Sequence, residues 1–145
     1  MRAKARRHKP GVMNKGEAAY AQHLEKRKHA GEIVEYLFDP EKLRLADLAY
    51  YSPDFFVMLP DGGVEFHEVK GRTTRKRSDG TRVDAPWSRE DAKLKIRFAA
   101  ERFWWYRSAI VFPLKAGGWG RIEFGSRPTV ATKPDYAPEE VTCGS

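Results

Sequence analysis

The chain has 145 residues, 41% of them apolar and 32% charged, which suits a single globular domain with a modest core. No apolar run reaches the roughly 18 residues of a membrane-spanning helix, and a single cysteine, Cys143, excludes both an internal disulfide and a thiolate metal site. The basic start is not followed by an apolar stretch, which argues against a secretory signal. We therefore expect a cytoplasmic protein with no membrane contact.

The net charge of +7 is concentrated in two segments of the chain. Residues 1–30 carry a balance of +7 and residues 70–82 a balance of +5, which leaves −5 for the remainder. Clustering of this kind favours a polyanionic partner such as nucleic acid. The alternative is a solvated basic face together with a disordered tail.

The first predicted element is a helix that follows a basic arm. Residues 1–14 contain five Lys or Arg and a Pro-Gly break, and we expect them to be flexible. Asn14 is a suitable N-cap, and apolar residues recur at helical spacing from Lys15 to about Ala30. Gly31 is a natural C-terminal stop.

Three or four strands and a loop are predicted next. The strands are residues 32–38, a weaker one at 43–50, a short one entered through Pro53, and residues 64–70 after a Pro-Asp-Gly-Gly hairpin turn. Residues 71–87 are polar and basic and too long for a simple connection. We therefore expect them to form a functional or mobile loop.

The last part of the chain predicts a helix and two strands. A capping-box-like pattern at Ser88 and Asp91 indicates a helix that runs to about Phe103, and strands follow at residues 108–114 and 119–124. Residues 126–145 read as a tail. The expected fold is therefore α/β or α+β, with a mixed sheet flanked by helices in one domain of residues 15–125.

A group of charged residues around the central hairpin points to chemistry. Asp54 begins one strand of the hairpin, and Glu68 and Lys70 end the other. Side chains alternate along a strand, so Glu68 and Lys70 share a face, and the hairpin can bring Asp54 alongside Glu68. Two neighbouring carboxylates repel each other unless a divalent cation lies between them, and hard oxygen ligands suit Mg²⁺ or Mn²⁺. The backbone carbonyl of Val69 is a further possible ligand.

Lys70 and a third carboxylate complete the predicted site. A phosphodiester under attack gains negative charge, which a metal ion and a nearby ammonium stabilise. Glu17, in the first turn of the first helix, is the favoured third acid, and Glu25, two turns later, is the alternative. His67 points to the opposite face from Glu68, and we expect a structural or surface role for it.

This pattern resembles the PD-(D/E)xK nuclease superfamily. The closer likeness is to small phage nucleases such as the junction-resolving endonuclease I family, whose motifs match Glu17, Tyr51-Ser-Pro-Asp-Phe55 and Glu68-Val-Lys-Gly71. The resemblance covers residues 14–124. It implies a restriction-endonuclease-like core, Mg²⁺-dependent cleavage of DNA, often branched or recombination intermediates such as Holliday junctions, a homodimer, and the host cytoplasm if the chain is phage-encoded.

Three functions remain open from the sequence. The first is a structure-selective endonuclease with Glu17, Asp54, Glu68 and Lys70 as catalytic residues; the second is a nuclease for flaps, nicks, single strands or plain duplex; the third is a basic DNA-binding protein without catalysis. Trp87, Trp104, Trp105 and Tyr106 are expected in core packing or an interface rather than in base stacking. The residues expected to contact DNA are basic: Lys15, Arg72, Arg75, Lys76, Arg77, Arg82, Lys93 and Lys95.

Overall fold

The computed structural model of the chain describes residues 11–88 and 90–124. These ranges contain two helices and nine strands, in the order α1 (Lys15–His29), β1 (Glu35–Phe38), β2 (Leu43–Ala46), β3 (Ala49–Tyr51), β4 (Phe55–Met58), β5 (Val64–Val69), β6 (Arg72–Lys76), β7 (Arg82–Pro86), α2 (Glu90–Arg102), β8 (Arg107–Pro113) and β9 (Trp119–Phe124). The fold is α+β, as predicted. The tail and most of the basic arm, residues 1–10, lie outside the described residues.

Helix α1 begins where the sequence predicts, because its first turn is closed by side chains. The Asn14 side chain accepts a hydrogen bond from the Glu17 backbone N–H, and the Glu17 carboxylate accepts one from the Asn14 N–H, both at 2.8 Å. This capping box satisfies two N–H groups that the helix cannot bond itself. The helix ends before Gly31, whose φ of +75° is the left-handed conformation that glycine adopts without strain.

A mixed five-stranded sheet forms the centre of the fold, in the strand order β1-β4-β5-β8-β9. Strands β5 and β8 are parallel and the other neighbouring pairs are antiparallel. Parallel neighbours need a crossover, which here contains β6, β7 and α2. The site strand β5 is therefore central in the sheet, with a hydrogen-bonded neighbour on each side.

The two helices cover opposite faces of the sheet. On one face, Tyr20 and Leu24 of α1 pack with Phe55, Val57 and Val111. On the other, α2 contributes Ile96 and Ala99, which pack in a cluster with Phe66 and Ile110. The alternation of side chains along β4 and β5 thus supplies both layers. Neither described helix is long and apolar enough to cross a membrane.

The predicted loop at residues 71–87 is wrong. Residues 72–86 form an antiparallel hairpin of β6 and β7, in which Thr74 lies opposite Asp84 and Lys76 opposite Arg82. The polar composition concealed the strands. The Asp79-Gly80 pair at the turn was the signal, because Gly80 has a φ of +88°.

The other strand predictions need smaller corrections. Residues 43–50 form no single weak strand, because a turn with Leu48 at a φ of +56° divides them into β2 and β3. The first strand begins at Glu35 instead of residue 32, and α2 ends at Arg102, next to its predicted end at Phe103. Seven strands therefore precede α2, where three or four were expected.

The aromatic residues after α2 divide between core and surface. Tyr106 packs against Phe56 and Phe66, as expected for a core residue. Trp104 and Trp105 are 62% and 56% exposed and Trp87 is 59% exposed, so core packing is wrong for these three. They follow or precede a helix whose buried side is already filled by smaller residues, Ile96, Ala99 and Ala100.

His67 is structural, one of the two roles expected for it. It is fully buried, and its Nδ1 lies 2.7 Å from the Tyr20 hydroxyl and its Nε2 2.9 Å from Glu65. An ionised carboxylate only accepts, so Nε2 carries the proton and Nδ1 accepts from Tyr20. Burial lowers the pKa of His67, which keeps the ring neutral. The Tyr20–His67 bond therefore ties α1 to β5.

Glu65 is expected to make the protein sensitive to acid. Burial opposes its charge, but hydrogen bonds from His67 and Arg121 lower the pKa of Glu65 from 4.5 to about 2. A folded pKa below the unfolded one contributes stability above pH 4.5 that is lost as the pH falls toward about 2, on the order of 3 kcal/mol. In denaturant titrations between those pH values, the free energy of unfolding should fall less steeply with decreasing pH for Glu65→Gln than for wild type. The control is Glu123→Gln, which removes an exposed partner of Arg121, and an unchanged slope in Glu65→Gln would contradict this assignment.

Candidate active site

Asp54 and Glu68 lie on the same face of the sheet. Strands β4 and β5 pair Phe56 with Phe66 and Phe55 with His67, and the Asp54 N–H donates to the His67 carbonyl at 3.1 Å. Continuing this register places Asp54 opposite Glu68. Because side chains alternate, both carboxylates project on the face where Phe56 and Phe66 pack. The two acids thus meet where β4 begins and β5 ends.

Each carboxylate is held by a defined donor. The Val69 N–H, left without a partner in β4 because that strand begins at Phe55, donates to Asp54 Oδ2 at 2.7 Å. Glu68 Oε2 accepts from the Tyr51 hydroxyl at 2.8 Å, and Glu68 Oε1 accepts from Lys70 Nζ at 2.9 Å. These short bonds from a backbone N–H, a hydroxyl and an ammonium fix the orientation of both acids.

The electrostatics of the site disfavour two negative charges. Burial, together with the neighbouring Glu68 carboxylate, raises the pKa of Asp54 from 3.8 to about 8, against the opposing effect of the Val69 hydrogen bond. Burial and Glu68 also raise the pKa of Tyr51, so its hydroxyl stays protonated and donates. Two facing carboxylates of this kind form a site that attracts a cation or a proton.

Helix α1 covers the opposite face of the sheet from these two acids, and its first turn reaches the end of β5 that carries Glu68. Its first turn lies against β5, since a Cβ at Gly16 would stand 3.8 Å from Val69 Cγ1. The Glu17 carboxylate is among the charges that raise the pKa of Asp54. The alternative acid, Glu25, accepts from the Tyr36 hydroxyl at 2.7 Å and pairs with His29. Of the two acids, Glu17 is therefore the one that acts electrostatically on Asp54.

The donor set suits a hard divalent cation, although it is not a preformed cage. Within residues 11–88 and 90–124, no three acidic, histidine or cysteine side chains converge tightly enough to form a metal cluster. One Glu17 oxygen is engaged in the helix cap. Among the hydrogen bonds of the described residues, Asp54 takes part through Oδ2, which accepts from the Val69 N–H. Asp54 and Glu68 could hold Mg²⁺ or Mn²⁺, with the Val69 carbonyl or Glu17 completing the shell.

The residues expected to contact DNA fall into three groups. Lys15 is exposed at the start of α1, two residues from Glu17. Lys93 and Lys95 lie on α2, where the Lys93 ammonium pairs with Glu90 at 3.1 Å. The remaining five belong to the hairpin that follows Lys70: Arg72, Arg75, Lys76, Arg77 and Arg82. Of these, Arg72 is partly engaged by Asp84.

Sequence reasoning assigned no role to Tyr51. It is buried in the cluster under α2, and its hydroxyl reaches Glu68 across 17 residues of chain. The available signal was its place directly before Ser52-Pro53-Asp54, in the motif that carries the first acid. Tyr51 is therefore a positioning residue for the Glu68 carboxylate.

If Asp54 and Glu68 hold Mg²⁺, Tyr51→Phe is expected to weaken the affinity of the protein for that ion by about 10- to 100-fold, since groups that orient a metal ligand affect metal affinity to this extent. The ring stays in place, so the loss of stability should be about 1 kcal/mol. Tyr50→Phe is the matched control, because Tyr50 is 46% exposed and the alternation of side chains along β3 places it on the other face from Tyr51. Equal Mg²⁺ affinity in all three proteins would contradict the positioning role.

Comparisons of the chain with protein-family models, with characterised proteins and with solved structures found no significant match. The function is therefore inferred from the geometry of the site and from the sequence motifs that form it. The paired acids and the ammonium beside them are the features to be explained.

Proposed function

We propose that the chain is an endodeoxyribonuclease that depends on Mg²⁺ or Mn²⁺ and hydrolyses phosphodiester bonds, with selectivity for branched DNA such as Holliday junctions. One observation supports this above all others. Asp54 and Glu68 lie opposite each other where β4 begins and β5 ends, with the pKa of Asp54 raised, and the Lys70 ammonium lies 2.9 Å from Glu68. A metal ion that acts on a phosphate needs carboxylate ligands, and a nearby ammonium stabilises the negative charge that the phosphate gains.

Each residue has a separate task in this reaction. Asp54 and Glu68 would hold the ion and Glu17 would add negative charge, while the Val69 N–H and the Tyr51 hydroxyl hold the two acids in place. A Mg²⁺ bound there supplies charge stabilisation for the attacked phosphate. Lys70 donates a hydrogen bond toward the attacking water or a phosphate oxygen. The water oxygen bonds to phosphorus and gives up a proton to solvent, the P–O bond to the leaving oxygen breaks, and that oxygen takes up a proton from solvent, so that protons balance overall.

A homodimer belongs to the same proposal, because resolving a junction requires two cuts related by a two-fold axis. Leu94 and Phe98, one helical turn apart on α2, are 51% and 58% exposed. Apolar side chains of this size on one helix face fit the contact with a second copy. The mass of the intact chain in solution, measured by sedimentation, tests this part of the proposal: a dimer supports it, and a monomer at cleavage concentrations opposes it.

A cleavage panel tests the function as a whole. Four-way junction, flap, nicked, single-stranded and duplex DNA are incubated with Mg²⁺, with Mn²⁺ and with chelator. The proposal expects metal-dependent cuts, fastest on the junction, and none from Glu68→Gln. Fastest cleavage of another substrate would move the chain to the second class of nuclease. Tight DNA binding without cleavage under any metal would leave a basic binding protein.

A further inference from the structure

The hairpin of β6 and β7, residues 72–86, is anchored at its base beside the candidate active site. We call it the basic ribbon. It begins two residues after Lys70, and the Trp87 N–H donates to the Gly71 carbonyl at 2.8 Å where its strands close. Asp84 accepts from the Lys115 N–H at 2.9 Å and pairs with Arg72 at 3.1 Å. The base of the ribbon is thereby attached to the turn after β8.

The outer half of the basic ribbon is exposed and carries excess positive charge. Its turn is fixed locally, because Asp79 accepts from the backbone N–H and the hydroxyl of Thr81. Asp79 is the only acid among residues 75–82. The basic side chains there form no ion pair with any described residue: Arg75, Lys76, Arg77 and Arg82.

Two of these cations face each other across the strands. Lys76 and Arg82 are direct partners in the antiparallel register. Like charges in such directly opposite positions are destabilising. Arg82 is held by Thr74 Oγ1 at 3.1 Å rather than by an acid. Because the ribbon keeps two cations opposite each other, its charge pattern is the one expected of a surface that binds an anionic partner.

The shape of the ribbon selects among nucleic acids. Two strands lie about 4.8 Å apart, and with side chains they match the roughly 12 Å major groove of B-form DNA but not the roughly 6 Å minor groove. Lys76 and Arg82 project from one face and Arg75 from the other, so phosphates on both walls of a groove are within reach. The major groove of A-form RNA is too deep and narrow for side chains to enter.

We propose that the basic ribbon lies in the major groove of a B-form DNA duplex adjoining the bond that is cut. The substrate would then have to be double-stranded on that side of the active site, as the arms of a junction are. The position relative to the cut rests on the proposed function. Binding of the ribbon to duplex DNA does not depend on it.

The sharpest test is Lys76→Glu, because it separates stability from binding. A carboxylate at position 76 would face Arg82, so the ribbon should be at least as stable as in wild type. Affinity for duplex DNA should nevertheless fall by about tenfold or more, and the slope of log affinity against log salt should decrease by about 1. Lys26→Glu, at the far end of α1 from Glu17, is the control with the same change of charge.

Binding is measured by fluorescence anisotropy without divalent metal, on duplex DNA, duplex RNA and single-stranded DNA of one sequence and length. The inference expects wild type to prefer duplex DNA, and Lys76→Glu to lose that preference while its Tm is unchanged or higher. Equal binding of duplex RNA, or equal effects of Lys76→Glu and Lys26→Glu, would overturn it. Duplex preference without metal-dependent cleavage would retain the ribbon and reject the nuclease, whereas cleavage without duplex preference would do the reverse.

Discussion

Asp54→Asn is expected to abolish metal-dependent cleavage while raising the thermal stability of the free protein. Partners that only orient a metal ligand contribute about 10- to 100-fold, so loss of a direct ligand should lower the rate by about 10³-fold or more. Stability should rise because burial and Glu68 hold the pKa of Asp54 near 8, so the wild-type fold at neutral pH must bind a proton there or accept two facing charges. Asparagine can still accept the Val69 N–H. Each 1 kcal/mol relieved should raise Tm by about 4 °C.

The two halves of this prediction have separate measurements. Cleavage is followed under single-turnover conditions with saturating Mg²⁺, and Tm is measured in chelator. Asp61→Asn is the control, because Asp61 is exposed in the turn between β4 and β5, where its side chain accepts from the Gly63 N–H. Full cleavage by Asp54→Asn would remove this residue from the mechanism. A lower Tm would show that the carboxylates do not repel each other in the free protein.

Lys70→Met is expected to lower the single-turnover cleavage rate by about 10²- to 10³-fold at saturating Mg²⁺ and DNA. The ammonium acts on charge that develops during the reaction, and removal of one such donor has effects of this size. Lys70 also lowers the pKa of Asp54, so its loss increases the repulsion that the ion must offset. DNA affinity in chelator should change by less than about tenfold, since one of many cations is removed.

Lys26→Met is the matched control for Lys70, because it removes an equal charge from the last turn of α1. Its cleavage rate should stay within a few-fold of wild type. A wild-type rate in Lys70→Met would make the lysine a structural partner of Glu68. A loss of rate fully explained by weaker DNA binding would make Lys70 a phosphate contact outside the reaction.

The parts of the fold that local chemistry determines were predictable. Helix α1 and its cap depend on Asn14, Glu17 and Gly31, all within or next to the helix. The turn between β4 and β5 is formed by Gly62 and Gly63, with the Leu59 N–H bonded to the Gly63 carbonyl. A tight turn fixes the register, and the register places Asp54 opposite Glu68. The pairing of the two acids therefore follows from short-range signals.

Weak local signals explain the errors in the strands. The basic ribbon has no alternation of apolar and polar residues, because Thr73, Thr74 and Arg75 pack little against the core. The turn between β2 and β3 contains Leu48 at a positive φ, where glycine or asparagine is the usual marker. Both hairpins are held by backbone pairing and by neighbouring elements, which propensity alone does not report.

Long-range contacts could not be predicted from the sequence, for a different reason. Tyr51 reaches Glu68 and Tyr20 reaches His67 only after the sheet has assembled, across 17 and 47 residues. Aromatic residues suit both a core and a surface, so the exposure of Trp104 depends on how α2 packs. The motif identifies the acids, whereas the groups that hold them depend on tertiary structure.

The most direct test of the central claim is a Mn²⁺ titration of the intact chain followed by electron paramagnetic resonance, without DNA. Wild type should show saturable Mn²⁺ binding that is lost in Asp54→Asn and in Glu68→Gln. Binding should be weaker in Glu17→Gln, which retains the helix cap, and unchanged in Glu25→Gln, whose side chain is engaged with Tyr36. Equal Mn²⁺ affinity in wild type, Asp54→Asn and Glu68→Gln would contradict a metal site between these two acids.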